Sequence, residues 1–287
     1  MKRRDFIQSA ALATSAALIA PNAMANTFRD EKIKEFGFQS YTVRDVIMKD
    51  MPGTLKRLRK AGFDYMEGFN FGNGRILGKP IAEAKSIITD SKIALKSIHI
   101  MTVNLGDNMQ QTIDDAAELG TEYLVCAYLM PNERQSLDQY KALCEQFNKF
   151  GELSRKAGIQ FAYHNHDFEF QELDGQMPMD VILKETDENL VKIELDIYWT
   201  RHAEQNPLVF FRDNQGRIPL WHVKDLALTD GKPMTEVGNG IIDWRPIFGH
   251  QKDAGLKYFF IEQDANFATD SLTSLETSIK FLKKLDY

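Results

Sequence analysis

Helical, amphipathic stretches of this chain repeatedly end in a small residue and a glycine, and an apolar, β-prone run follows each at once. Ala61-Gly62 precedes Phe63 to Phe69, Leu119-Gly120 precedes Tyr123 to Tyr128, Ala157-Gly158 precedes Ile159 to His166, and Ala254-Gly255 precedes Leu256 to Gln263. A glycine just past the last helical residue takes the left-handed conformation that turns the chain back into a strand. Further apolar runs at Phe36 to Tyr41, Ala94 to Met101, Leu190 to Ile197 and Ile218 to Val223 bring the total to eight, each followed by a helical segment. Near-continuous Val, Ile, Leu and Phe suit parallel strands covered on both faces. Eight βα units in about 250 residues predict a single-domain (β/α)8 TIM barrel over residues 26–287. The rival, an open doubly wound sheet, lacks its Gly-rich phosphate turn: Tyr41-Thr42-Val43-Arg44 stands after the first strand.

Residues 1–25 fall outside this pattern. Lys2, Arg3 and Arg4 form a positive start, Phe6 to Ala20 is apolar but diluted by Ser and Thr, and Ala23-Met24-Ala25 is a small-residue cleavage pattern. The segment reads as an export signal rather than a span, being too short and too weakly apolar for a bilayer core of roughly 30 Å. Arg3-Arg4-Asp5-Phe6-Ile7 resembles a twin-arginine signal, which implies export of a folded protein to the periplasm or an equivalent compartment.

Composition then narrows the partners. At 287 residues with 43% hydrophobic and 26% charged positions, the chain is ordinary globular material. Its formal charge is −6, and loss of Lys2, Arg3, Arg4 and Asp5 with the signal deepens it to −8. Such acidity argues against a nucleic-acid partner. The two cysteines, Cys126 and Cys144, are read as small buried side chains rather than a redox pair. A homo-oligomer is compatible with the sequence.

In a parallel barrel, chemistry collects at the carboxyl ends of the strands. Here those ends carry Glu67, His99, His164-Asn165-His166, Glu194-Leu195-Asp196, His222-Val223-Lys224-Asp225 and Glu262-Gln263-Asp264, and they hold four of the six histidines. His164, Asp196, His222 and Glu262, from successive strands 5 to 8, are the candidate ligands of one divalent metal ion. Mixed nitrogen and oxygen donors suit Mn, Co, Zn or Fe better than Ca or Mg. His99, Glu67, Trp199 and Asp225 are candidate substrate contacts.

The opening Gln39-Ser40-Tyr41-Thr42-Val43-Arg44-Asp45 carries a resemblance, as do Tyr163-His164-Asn165-His166-Asp167-Phe168-Glu169-Phe170 and Leu195-Asp196-Ile197-Tyr198-Trp199. So do Trp221-His222-Val223-Lys224-Asp225 and Gly238-Asn239-Gly240-Ile241-Ile242-Asp243-Trp244. Together they resemble the xylose isomerase-like TIM barrels, and within them the sugar phosphate isomerase/epimerase group with its inosose dehydratase and ketose 3-epimerase relatives. The resemblance implies a metal that binds adjacent carbonyl and hydroxyl oxygens of a sugar, while acid–base groups move a proton on the neighbouring carbon. A divalent cation stabilises the enediolate formed when that proton leaves. By position, Glu262 is the candidate ligand and base, and Lys224 the cation that steadies an oxyanion unless it pairs with Asp225 or Glu194. The expected activity is a metal-dependent isomerase or epimerase of a keto-sugar or oxidised glycoside.

One departure opens an alternative. Ketose epimerases of this group carry Glu where His164 stands, so a symmetric exchange between two carboxylates is in doubt, and the His-X-His pattern points to a lyase or dehydratase of a 3-keto-glycoside or inosose-like substrate. His166, two residues on and on the same strand face, is the candidate acid for the leaving group. His166 or Glu169 is also an alternative to His164 on the metal. Phe69, Phe71, Trp199, Trp221 and Trp244 are candidates for an apolar wall against a sugar ring. The glycines after strand 2 allow a lid, and Gly238-Asn239-Gly240 allows a weak phosphate cradle. A sugar-binding protein on a degenerate barrel and an endonuclease IV-like hydrolase are the remaining readings.

Overall fold

The computed structural model describes residues 32–287; residues 1–25, read from the sequence as an export signal, lie outside them. Eight parallel strands close into a barrel: β1 (Gly37–Gln39), β2 (Tyr65–Gly68), β3 (Ala94–Ile100), β4 (Tyr123–Cys126), β5 (Gln160–His164), β6 (Val191–Asp196), β7 (Leu220–Val223) and β8 (Tyr258–Ile261). Each pairs with its sequence neighbours, and β8 closes on β1 in the register Gly37 to Phe260. All eight runs read from the sequence become barrel strands.

The outer ring contains α1 (Met51–Ala61), α2 (Ile81–Ser91), α3 (Met109–Leu119), α4 (Leu137–Lys156), α5 (Pro178–Glu185), α6 (Pro207–Asp213), α7 (Trp244–Gly249) and α8 (Ser271–Leu282), with shorter helical turns between them. The glycine junctions are as the pattern requires: Gly62 closes α1 at φ 105° and Gly120 closes α3 at φ 76°. α4 shows how closely ring and barrel approach, because a Cβ on its Gly151 would lie 2.5 Å from the Leu190 carbonyl oxygen. Among the described residues no helix is long and apolar enough to cross a membrane.

Inside the barrel, Tyr65, Val125, Ala162, Leu220 and Phe260 form an apolar plug. Side chains alternate along a strand, so the residue two positions further on points inward one layer higher. That rule lifts Tyr65 to Glu67, Ala162 to His164 and His166, Leu220 to His222 and Lys224, and Phe260 to Glu262 and Asp264. A dry apolar floor thus lies under a polar layer at the carboxyl mouth.

Candidate active site

The polar layer is a continuous network centred on His222, which is fully buried. Its Nδ1 lies 2.6 Å from Glu262 Oε2, and its Nε2 lies 2.6 Å from Glu67 Oε2 and 3.2 Å from Glu194 Oε2. Burial opposes a charge on this imidazole, but Glu194 and Glu262 outweigh it and hold the pKa well above the usual range. His99 repeats the arrangement from β3, with Nε2 2.7 Å from Glu194 Oε2 and 3.0 Å from Glu67 Oε2. Against its burial, Glu67 and Glu194 push its pKa up to about 9. His164 differs. Burial, then the neighbouring cationic groups, drives its pKa well below the usual range, so it is the neutral imidazole that a metal ligand must be. Its Nδ1 stands 3.0 Å from Glu194 Oε2 and its Nε2 3.6 Å from Asp196 Oδ2.

Lys224 forms the second focus. Its ammonium lies 2.6 Å from Glu262 Oε2, 3.0 Å from Asp196 Oδ2 and 3.1 Å from Asp264 Oδ2. It therefore pairs with none of the partners the sequence suggested for it, Asp225 or Glu194. Asp196 is aimed by its other oxygen, which caps the short helix Ile197–His202 by accepting the Trp199 N–H at 2.9 Å. Burial, followed by Glu262, raises the Asp264 pKa to about 6.

The candidate ligands His164, Asp196, His222 and Glu262 are gathered in this one network. Donor atoms of Asp196, His222 and Glu262 lie within 4.8 Å of one another, as do those of His99, His164, Glu194 and His222. The residues fit a divalent ion: Glu194 Oε1 is a buried carboxylate oxygen without a hydrogen-bond partner, and imidazole nitrogens and carboxylate oxygens stand together around it.

A cavity of about 580 Å³ opens onto this layer, lined at its base by His99, His164, His166, Lys224, Glu262 and Asp264. Tyr41, Phe69, Phe71, Met101, Val103 and Tyr128 form apolar walls, so the loop after β2 contributes two of the expected aromatic side chains. His166 sits at the edge of the base, its ring stacked on Phe168 and 5.4 Å from that of Trp199. Its Nδ1 is buried with no hydrogen-bond partner, and burial, then Lys224, keeps the ring neutral.

Other expected contacts are placed elsewhere. Glu67 is fully buried beneath the base, where Oε2 accepts from Gln39 Nε2 at 2.7 Å and from His222, and Oε1 accepts from Ser97. It positions the two imidazoles rather than reaching the cavity. Asp225 points out of the barrel, and its carboxylate accepts four N–H groups, from Leu226, Gly238, Ile242 and the Trp244 indole. The Gly238-Asn239-Gly240 segment wraps that carboxylate, since a Cβ on Gly240 would lie 2.1 Å from Asp225 Oδ1, and so it cradles a side chain and not a phosphate. Trp221 and Trp244 are core, and Trp199 packs on His166 without lining the cavity. Glu169 is held by Tyr163 Oη and the His166 N–H, away from both donor groups. Cys126 and Cys144 are free and buried. Glu194, named from the sequence only as a possible partner of Lys224, and Asp264, given no role there, are central here.

A family model described as xylose isomerase-like TIM barrel matches residues 55–285. The chain belongs to this family. As a xylose isomerase-like barrel it is 27% identical over 165 residues to inosose dehydratase of Clostridium perfringens, covering 51% of this chain and 54% of that protein. The chain spans about half the length of such curated relatives. The crystal structure of a sugar phosphate isomerase/epimerase from Parabacteroides distasonis superposes with TM-score 0.74 at 26% identity, covering 86% of this chain and 93% of that one. L-ribulose 3-epimerase shares the fold, with TM-score 0.68 at 17% identity over 88% and 94% of the two chains.

Proposed function

We propose that this xylose isomerase-like barrel is a metal-dependent carbon–oxygen lyase that dehydrates a keto-sugar or a cyclic polyol ketone. The observation that carries this reading is the asymmetry of the cavity base. Its carboxylates, Glu262 and Asp264, both come from the end of β8, whereas the β3 and β5 side offers His99, His164 and His166. Inverting a carbon by proton exchange calls for a base on each face of the substrate. A carboxylate facing imidazoles suits removal of a proton on one side and release of an oxygen on the other. The similarity to inosose dehydratases agrees with this reading.

In this mechanism Glu262 takes the proton from the carbon next to the carbonyl, while His166 donates a hydrogen bond to the departing hydroxyl. The C–H and C–O bonds break, a C=C bond conjugated to the carbonyl forms, and the proton and hydroxyl leave as water. Lys224 holds the carboxylates of Asp196 and Glu262 in place and presents positive charge to the developing oxyanion. A divalent ion bound among His99, His164, Glu194, Asp196, His222 and Glu262 would polarise the carbonyl. The phenyl and phenol faces of Phe69, Phe71 and Tyr128 cover the C–H surface of the ring.

Isomerisation or epimerisation of a ketose is the second reading, favoured by the similarity to the Parabacteroides distasonis structure. Mass spectrometry and NMR of inososes, 3-keto-glycosides and free ketoses incubated with the zinc- or manganese-loaded protein in D₂O separate the two. Loss of one water, abolished by Glu262→Gln, is expected; deuterium uptake with inversion and no mass loss would assign the epimerase. We place the reaction outside the cytoplasm on the strength of the Arg3-Arg4 segment, and fractionation of cells expressing the chain and an Arg3→Lys, Arg4→Lys variant tests that placement.

A further inference from the structure

The cavity is divided by chemistry. Its base is polar, whereas the wall above the ends of β3 and β4 is built from Ile100, Met101, Val103, Ala127 and Tyr128. Polar atoms beside that wall are engaged within the chain. Asn104 Oδ1 accepts the Met101 N–H at 3.0 Å, Thr102 Oγ1 donates to Glu133 at 2.6 Å, and Tyr128 Oη accepts from Arg134 at 3.2 Å. Outermost stands Val103, an apolar side chain that lines the cavity and is 75% exposed. A hydroxyl group pressed against these side chains would lose water and gain no partner, so the surface suits an apolar occupant.

This wall begins beside His166. The Tyr128 ring meets the His166 ring edge-on, with centroids 4.9 Å apart, and the strands that lead to them, β4 and β5, are paired neighbours. β3, which leads to Met101 and Val103, is the next strand on the same side. In the elimination described above, His166 receives the departing oxygen. Whatever that oxygen carries therefore lies next to Tyr128, where the apolar surface starts, and away from the carboxylates at the end of β8.

Resting on the lyase reading, we infer that the departing oxygen carries an apolar group, and that the substrate is a keto-glycoside whose aglycone sits on Tyr128, Met101 and Val103. The bonds are those already given. The C–H bond next to the carbonyl breaks, the C–O bond one carbon further breaks, and the C=C bond forms between those two carbons. The proton and the RO group leave together as an alcohol or phenol, ROH, in place of water, and no oxidant or other co-reactant enters. A glycosidic oxygen stands in this relation to a ring carbonyl when an aldose ring is oxidised at its third carbon, so the substrate class is a 3-keto-glycoside with an apolar aglycone.

Two alkyl series on the full, zinc-loaded chain test the assignment. Methyl, propyl and butyl glucosides have no carbonyl and do not react, so calorimetry reads their binding alone. Each methylene that reaches the wall should lower Kd by up to about fourfold, and butyl should bind at least about tenfold tighter than methyl. The matching 3-keto-glycosides, whose alcohols are leaving groups of similar strength, are followed by alcohol release in NMR and mass spectrometry. Their kcat/KM should rise along the series in the same proportion, with an inosose below the butyl compound. Val103→Asp, a change at an exposed position, should cut the butyl-to-methyl ratio at least about threefold in both measurements. Ratios near one in the parent, ratios unchanged in Val103→Asp, or an inosose dehydrated faster than any keto-glycoside overturn the inference and leave the lyase reading standing. Absence of elimination from keto-glycosides and inososes alike overturns the lyase reading and this inference with it.

Discussion

Asp225→Asn separates a structural carboxylate from a substrate contact. Oδ1 of Asp225 accepts the backbone N–H groups of Leu226 at 2.8 Å and Ile242 at 3.2 Å, and Oδ2 accepts those of Gly238 at 2.8 Å and the Trp244 indole at 3.0 Å. The side chain is fully buried and Gly240 closes over it without room for a Cβ, so water has no space to take over. Asparagine keeps one accepting oxygen and turns an NH₂ group toward the other two donors. Two buried N–H groups left unmade cost about 1–3 kcal/mol each, or about 4 kcal/mol together. For a chain of this size that is a fall in Tm of about 8–16 °C. Calorimetry on the folded variant measures it, and steady-state kinetics at a temperature well below the transition should show KM unchanged. A Tm within 2 °C of the parent combined with a raised KM would refute the assignment and return Asp225 to the substrate.

Two further perturbations test other parts of the molecule. Gly151→Ala places a Cβ 2.5 Å from the Leu190 carbonyl oxygen; the helix-propensity gain of about 1 kcal/mol is outweighed by forcing α4 off β6, so Tm should fall by several degrees, and a rise would contradict the packing described. Glu169 is fully buried, and burial raises its pKa to about 7 from 4.5. Its folded state binds the proton more tightly than the unfolded chain, so its contribution is fully present below pH 4.5 and is lost as pH rises to about 7, a swing of about 3 kcal/mol. The urea midpoint of the parent relative to Glu169→Gln should therefore decline across that interval and be flat above it, and a difference independent of pH would show that the carboxyl is ionised throughout.

The period of two that defines a strand made most of the site legible. From Leu220 it carries to His222 and Lys224, and from Phe260 to Glu262 and Asp264, so the strand runs and the inward-facing groups follow from the same count. The same count sets Asp225 on the outer face, one step out of phase with Lys224. Reading it as a substrate contact weighed its nearness to the strand end above its parity. Depth is what the count does not supply. Glu67 has the inward parity, yet both imidazoles His222 and His99 are hydrogen-bonded to it and it does not line the cavity. Glu194 shares its face with Asp196, but its importance appears only when His99, His164 and His222 from three other strands are seen to meet at one of its oxygens.

The replacement of a carboxylate by His164 has consequences across the whole base. A carboxylate on β5 would add negative charge beside Glu194 and Asp196, and would give the cavity a second base opposite Glu262. A buried imidazole does neither, since its neighbours His222, His166, His99 and Lys224 join burial in keeping it neutral. The proton-accepting carboxylates are then confined to the β8 side, where Lys224 screens Glu262 and holds it ionised. On the opposite side, what remains is hydrogen-bonding imidazole, with His166 Nδ1 free of any partner. A substrate lying between them meets charge that can accept a proton on one face only. In the proposed lyase reaction, proton removal and oxygen departure then fall to different sides of the ring, an arrangement an elimination accommodates and one that leaves an inversion at carbon without its second carboxylate base.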